Sequence, residues 1–187
     1  MSEADRKRWE ERYRAGSHRA AADPWVLERL REAPVGRLLD VASGTGALAL
    51  EAAAMGFFVS AIDISSVALE ELGQEAQGRG LTIETHVADL DEAKALDGLG
   101  PFDFLSVSRY KPTPSQWQRL ADVLVPGGSL FLCSFSERQE SMRPAFRLNQ
   151  GELMTTLEPL GLVLKEWQSF ERGGDHMAGS VWVKGAA

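Results

Sequence analysis

The run Leu38 to Leu50, reading LLDVASGTGALAL, constrains this chain more than any other segment. An apolar β-run (Leu38, Leu39, Val41) carries one acid, Asp40, and opens into Gly44-Thr45-Gly46 before an alanine-rich helix. A strand that enters a glycine turn and then a helix presents backbone N–H groups and a helix N-terminus to a ligand at close range. Small residues permit that approach, and Ala42, Ser43, Gly44 and Gly46 supply them. The turn is where a ligand is expected.

Two ligand classes use such a turn. GTGALA satisfies the dinucleotide fingerprint G-x-G-x-x-G/A. Asp40 stands directly before the loop, where a pyrophosphate would meet negative charge and a ligand with an ammonium and a sulfonium would be attracted. S-adenosylmethionine is a ligand of the second kind. The acid tilts the choice towards it, and the glycine pattern alone does not decide.

A length of 187 residues with 44% hydrophobic content suffices for one well-buried domain and is short for two. Lysine and arginine number 20 against 27 acids, a formal charge of −7. That balance argues against direct nucleic-acid binding, which rests on phosphate neutralisation. The arginines within 6–14 and 138–147 could receive an acidic small molecule, but solvated faces balanced by nearby glutamates are the favoured reading. The single cysteine, Cys133, excludes an internal disulfide and sits in the apolar run SLFLCSF as a core residue. No Cys/His cluster has metal-ligand spacing, so no metal is expected. The first residues are charged, and no window approaches the ~18 consecutive apolar residues of a membrane span. A cytoplasmic protein is expected, without membrane association, as a monomer or homodimer.

A first helix is expected over Glu3 to Arg14, with Trp9 and Tyr13 four apart on one face. A second starts at Asp23-Pro24, cap followed by first helical position. From Gly36 the pattern alternates, with strands expected at 37–41, 57–62, 81–88, 102–107 and 129–134 and helices at 46–55, 65–78 and 115–124. Gly56 reads as a helix terminator and Ser65 or Ser66 as an N-cap. Alternation of this kind means an α/β fold, a parallel sheet with helices on both faces, whose ligands bind at the carboxyl ends of the strands. The last third departs from it. A helix over Gly151 to Leu160 precedes two β-runs joined by Arg172-Gly173-Gly174-Asp175, an antiparallel hairpin unlike the all-parallel sheet of nucleotide dehydrogenases.

Over nearly its whole length the chain resembles the class I S-adenosylmethionine-dependent methyltransferases, and in size the small tellurite-resistance-type members. The resemblance rests on DVASGTG, on AIDIS with Asp63, on VADL with Asp89, and on Pro126-Gly127-Gly128 before the fifth strand. One departure is Ala42, where the family's glycine triplet begins with glycine. The resemblance implies a Rossmann-like, mostly parallel seven-stranded sheet with a C-terminal antiparallel hairpin. It implies one methyltransferase domain over 1–187: N-terminal helices capping the site (1–33), a cofactor-binding core (36–134), and a pocket cover with the hairpin (135–187). The cofactor is S-adenosylmethionine, released as S-adenosylhomocysteine.

On that basis Asp63 would accept both hydroxyls of a ribose and Ile64 would lie against adenine; the bland alternatives are a helix-start acid and core packing. Asp89 would accept the adenine amino group with the Leu90 N–H nearby, or simply start a short helix over DEAKAL. Asp40 would orient the methionine ammonium, and Ala42, Ser43, Gly44 and Gly46 would supply backbone contacts. Ser108, Arg109 and Tyr110 end the fourth strand at the rim where substrate should enter. Ser108 is expected to touch the cofactor, Tyr110 to orient a nucleophile and Arg109 to hold an anionic one, unless they merely line a surface loop. Trp9 and Tyr13 would close over the methionine end as a lid, or anchor the first helix. His18, His86 and His176 have no recognisable partner as catalytic bases. Absence of an obvious base favours a soft or already ionised small-molecule acceptor. The rivals are a methyltransferase of RNA or protein, a dehydrogenase, and a non-catalytic cofactor-binding protein.

Overall fold

The computed structural model describes residues 3–16 and 21–186. Its elements, in chain order, are α1 (Glu3–Arg14), α2 (Pro24–Glu32), β1 (Arg37–Val41), α3 (Ala47–Ala54), β2 (Phe58–Asp63), α4 (Ser66–Gly78), β3 (Ile83–Val87) and β4 (Phe102–Ser108). There follow α5 (Pro114–Val123), β5 (Leu124–Ser136), β6 (Arg147–Leu148), α6 (Gln150–Leu157), β7 (Leu162–Arg172) and β8 (Asp175–Lys184). Short 3-10 turns stand at Pro144–Phe146 and Glu158–Leu160.

The sheet runs β3-β2-β1-β4-β5-β8-β7, with the two-residue β6 pairing with β5. β1 to β5 are parallel, and β8 lies antiparallel between β5 and β7. The expected seven strands and closing hairpin are present, and β6 makes an eighth. β1 is buried from Leu38 to Val41 because helices cover both of its faces. One apolar core lies on the α5–α6 side, including Trp117, Leu120 and Leu153; the other packs α2, α3 and α4 against the opposite face. Gly173 (φ +59) and Gly174 (φ +87) take the left-handed conformations a two-residue hairpin turn requires.

The caps follow local chemistry. Asp23 accepts from the Trp25 N–H at 2.9 Å, and Ser65 accepts from the Ala68 N–H at 3.2 Å. Three expectations are corrected. DEAKAL forms successive turns rather than a helix, its six residues being too few to nucleate one without packing. Pro126-Gly127-Gly128 is not a turn preceding the fifth strand. It lies inside β5, which already pairs Leu124 with Phe102, and the register shift between Phe102 and Phe104 absorbs it as an irregularity. The helix expected to reach Leu160 is α-helical to Leu157 and tightens into a 3-10 turn at Pro159.

The strand order reverses between β1 and β4, which connect in opposite directions across the sheet. The crevice outside their carboxyl ends is the switch point where α/β sheets accept ligands. Among the described residues no helix is long and apolar enough to cross a membrane.

Candidate functional site

At that switch point lies a cavity of about 300 Å³. Its floor is the loop after β1, held in unusual backbone geometry: Ala42 (φ +54), Gly44 (φ +55) and Gly46 (φ +72) are all left-handed. Glycine adopts this freely, whereas in alanine it costs on the order of 1–2 kcal/mol. The position where the sequence departs from the glycine triplet is therefore strained.

Three buried carboxylates line the cavity, Asp23, Asp40 and Asp63; Asp23 is paired with Arg172, and the other two flank the glycine loop. Asp40, 3% exposed at the end of β1, accepts from the Ser106 hydroxyl at 2.7 Å. The register pairs Asp40 with Ser106 across β1 and β4. Burial pushes its carboxyl up to about 7, against the opposing pull of the Ser106 hydrogen bond. Asp63, 7% exposed at the end of β2, accepts from the Gly44 N–H and the Ser65 N–H, each at 2.9 Å. Burial raises this carboxyl too, while those backbone donors lower it.

Helix α1 covers the loop. Trp9 and Tyr13 stack with ring centroids 6.0 Å apart, and both line the cavity. A Cβ built on Gly44 would stand 2.7 Å from the Tyr13 hydroxyl oxygen, so the phenol closes directly on the turn. Burial, reinforced by the charge of Asp63, raises the Tyr13 hydroxyl pKa well above its usual value.

The rim is the end of β4. Ser108, Arg109 and Tyr110 line the cavity, and Arg109 is itself left-handed (φ +55). The Tyr110 hydroxyl donates to Gln116 Oε1 at 2.7 Å, and Gln116 Nε2 donates to Asp91 Oδ1 at 2.7 Å. Burial pushes the Tyr110 phenol up to about 12. Gln116, Asp91 and Ser106 were not among the residues expected from sequence. They reach the site through strand register and helix packing, which no local pattern announces.

The cavity brings together eleven of the residues expected at the site: Trp9, Tyr13, Asp40, Ala42, Ser43, Gly44, Asp63, Ile64, Ser108, Arg109 and Tyr110. Gly46, Asp89 and Leu90 do not line it. Gly46 is there for packing, since a Cβ would run into the Leu72 side chain of α4. Leu90 is core, and its carbonyl accepts from Arg119. Asp89 lines an adjacent groove on the β3 side, and Ile64 borders both spaces. Asp89 also accepts from the Asp91 N–H at 2.9 Å, which shapes the loop in place of the expected helix start. Of the histidines, His86 lines that groove, His176 is 3.4 Å from Glu171 on the hairpin, and His18 lies outside the described residues.

Two polar groups on the cavity wall are left over. Ser43 Oγ and Ser108 Oγ are buried without a hydrogen-bond partner. Native folds rarely leave such groups unsatisfied, and both of these stand on the wall of the cavity.

Residues 38–128 match a family described as a methyltransferase domain. A ubiquinone biosynthesis O-methyltransferase of Caulobacter sp. (strain K31) is 30% identical over 110 residues, 57% of this chain and 43% of that protein. This chain thus spans under half the length of the curated relatives it matches. Magnesium protoporphyrin IX methyltransferase of Synechocystis PCC 6803, solved with bound S-adenosylmethionine, aligns with a TM-score of 0.75 at 17% identity, covering 97% of this chain and 95% of that one. TehB of Haemophilus influenzae aligns with a TM-score of 0.73 at 16% identity, covering 94% and 67%. At such identities the two structures speak to the fold alone.

Proposed function

We propose that this chain, whose residues 38–128 match a methyltransferase domain, is a class I methyltransferase that transfers a methyl group from S-adenosylmethionine to a small-molecule acceptor arriving as a soft or already ionised nucleophile. The observation that carries this reading is the pair of buried carboxylates, Asp40 and Asp63, on one cavity beside the glycine turn. Burying two acids is costly unless a cation compensates them. A ligand carrying both an ammonium and a sulfonium does so, and a dinucleotide pyrophosphate would add to the repulsion.

The chain's own groups fit such a ligand. Each Asp63 oxygen accepts one backbone N–H and retains a lone pair for a ribose hydroxyl. Asp40 would hold the ammonium, with the orphaned Ser43 hydroxyl close by in sequence. Gly44, lacking a side chain, lets the Tyr13 hydroxyl close on the turn. Adenine would lie past Ile64 towards Asp89 and the Leu90 N–H, since Ile64 joins the cavity to that groove. When bound, the cofactor supplies a methyl group on a positively charged sulfur that leaves readily.

What the protein adds is orientation and exclusion of water, since its lining acids are already engaged. Asp40 is tied to Ser106, Asp63 to backbone N–H groups, Asp91 to Gln116 and Asp23 to Arg172. The Tyr110 proton is committed to Gln116. Trp9 and Tyr13 would close over the methionine end. Orientation alone is worth up to ~7–11 kcal/mol, enough for an ionised acceptor that needs no base. The acidic balance and the lone buried Cys133 suit a cytoplasmic enzyme acting on small molecules, as monomer or homodimer.

Calorimetric titration with S-adenosylhomocysteine, repeated on Asp63→Ala, tests the cofactor. Tight binding lost in the variant supports the reading; protection by NAD instead would replace it with a dehydrogenase. Turnover on thiols, selenite, phenols and carboxylates tests the acceptor. Activity confined to alcohols or amines would remove the ionised class, and cofactor binding without any turnover would leave a binding protein.

A further inference from the structure

Arg109 occupies the rim in a conformation arginine seldom adopts (φ +55), with its backbone N–H bonded to the Cys133 carbonyl at 2.9 Å. Non-glycine residues held this way are strained and concentrate at ligand sites. The three lining cations differ in their surroundings. Arg8 is paired with Asp5 at 2.8 Å and Lys111 with Glu152 at 2.7 Å. Among the described residues, Arg109 alone of the three has neither an ion pair nor a side-chain hydrogen bond. Its chain neighbour Ser108 carries a buried hydroxyl, also without a partner. Two donors thus stand side by side at the cavity, the Arg109 guanidinium exposed at its rim and the buried Ser108 hydroxyl on its wall, neither with an acceptor from the protein. A guanidinium without a protein counter-ion would also repel a cationic methyl donor in the same space, which an anion between them would reverse.

The geometry points to an acceptor subsite for a monoanionic carboxylate, gripped by the Arg109 guanidinium and the Ser108 hydroxyl. A guanidinium presents two parallel N–H donors that match the two coplanar oxygens of a carboxylate. One cation balances one negative charge. A phosphate dianion would keep a surplus charge on a cavity already lined by Asp40, Asp63 and Asp91. The acceptor class therefore becomes small carboxylic acids held by their carboxylate, an assignment that rests on the methyltransferase reading only for calling this ligand the acceptor.

The test is calorimetric titration of the full chain, alone and saturated with S-adenosylhomocysteine, with benzoate, its neutral isostere benzamide, and phenylphosphonate. Benzoate should bind the saturated protein about 10- to 100-fold tighter than benzamide, as expected for a charge-assisted pair. Arg109→Gln should remove that preference while still binding S-adenosylhomocysteine, and Arg109→Lys should restore part of it. Should Arg109→Gln fail to fold, Ser108→Ala decides, with benzoate weakened by about 3- to 10-fold. Benzoate binding no better than benzamide, phenylphosphonate binding best, or an unchanged preference in the variants overturns the subsite. If S-adenosylhomocysteine itself does not bind, the cofactor reading fails, and the benzoate–benzamide comparison on the free protein still decides the anion site.

Discussion

Ser106 donates its hydroxyl proton to Asp40 at 2.7 Å across two paired strands, on the wall of a cavity that also holds Asp63. The pairing moderates, without abolishing, the effect of burial, and the Asp40 carboxyl stands at about 7. A ligand ammonium would pull it back down, so binding expels a proton wherever the free protein carries one. Affinity for S-adenosylhomocysteine should therefore fall as pH drops below about 7, by up to tenfold per unit. Asp40→Asn should weaken binding at about pH 8 and flatten the profile. Calorimetry across that range checks both, and a flat wild-type profile would separate Asp40 from the ammonium.

The same raised carboxyl has an opposite consequence for the empty protein. Its folded value lies above its unfolded one, so its stabilising contribution is complete below the ordinary carboxylate range and is lost as pH rises through about 7. Asp40→Asn removes the buried charge that appears over that interval. The variant should melt higher than wild type at about pH 8, by a margin that shrinks towards about pH 5. A margin that grows on acidification would reverse the assignment.

Gly44 and Gly46 separate two uses of glycine in one loop. A methyl at Gly46 meets the Leu72 side chain in the core, and one at Gly44 meets the Tyr13 hydroxyl 2.7 Å away on the cavity side. Both positions are left-handed, so each alanine carries about 1–2 kcal/mol of backbone strain. Gly46→Ala should lose a further ~1–3 kcal/mol by overpacking. Gly44→Ala should be the milder in denaturant but the more damaging to S-adenosylhomocysteine binding, and Tyr13→Phe should recover part of its stability. Equal effects of both alanines on stability and binding would contradict the division.

Ala42 gives the converse substitution. Its φ of +54 is a cost that glycine removes, partly offset by the greater freedom glycine gains in the unfolded chain. Ala42→Gly should stabilise the protein by about 0.5–1 kcal/mol in chemical denaturation. A loss of stability there would mean that the alanine methyl contributes packing that outweighs the strain.

How much of this was legible beforehand follows the range of the forces involved. The bounds of α1 and β1, the Asp23 cap and the Gly173-Gly174 turn are local matters, and sequence placed them where the structure has them, with the α4 cap narrowed to Ser65 or Ser66. The glycine loop, its flanking acids and the β4 rim were legible for the same reason. Pro126-Gly127-Gly128 misled because proline and glycine punctuate equally at a turn and at an irregularity within a strand, and only pairing with β4 distinguishes them. Ser106 is one of two serines in FDFLSVS until register sets it opposite Asp40. Gln116 could have been noticed as the third helical residue after Thr113, yet nothing local says that its amide reaches Asp91.

Gln116 is nevertheless the residue on which the rim's arrangement turns. It is 2% exposed, and its carbonyl oxygen accepts from both the Tyr110 hydroxyl and the Thr113 N–H, at 2.7 and 2.9 Å. Its amide nitrogen donates to Asp91, so one buried side chain ties β4's end, the start of α5 and the loop after β3 together. Gln116→Leu would keep the volume and strand all three partners, a loss of about 1–3 kcal/mol in denaturant. Tyr110, freed from its acceptor, would no longer be fixed at the rim. Turnover should then fall more than S-adenosylhomocysteine affinity, since Gln116 touches the rim and not the Asp40–Asp63 end. Gln116→Glu, with an acceptor still facing Tyr110 but a negative charge set against Asp91, should be worse than Gln116→Leu at about pH 8 and recover as the pH falls. A Gln116→Leu enzyme with unaltered turnover and stability would show that the chain from Tyr110 to Asp91 positions nothing.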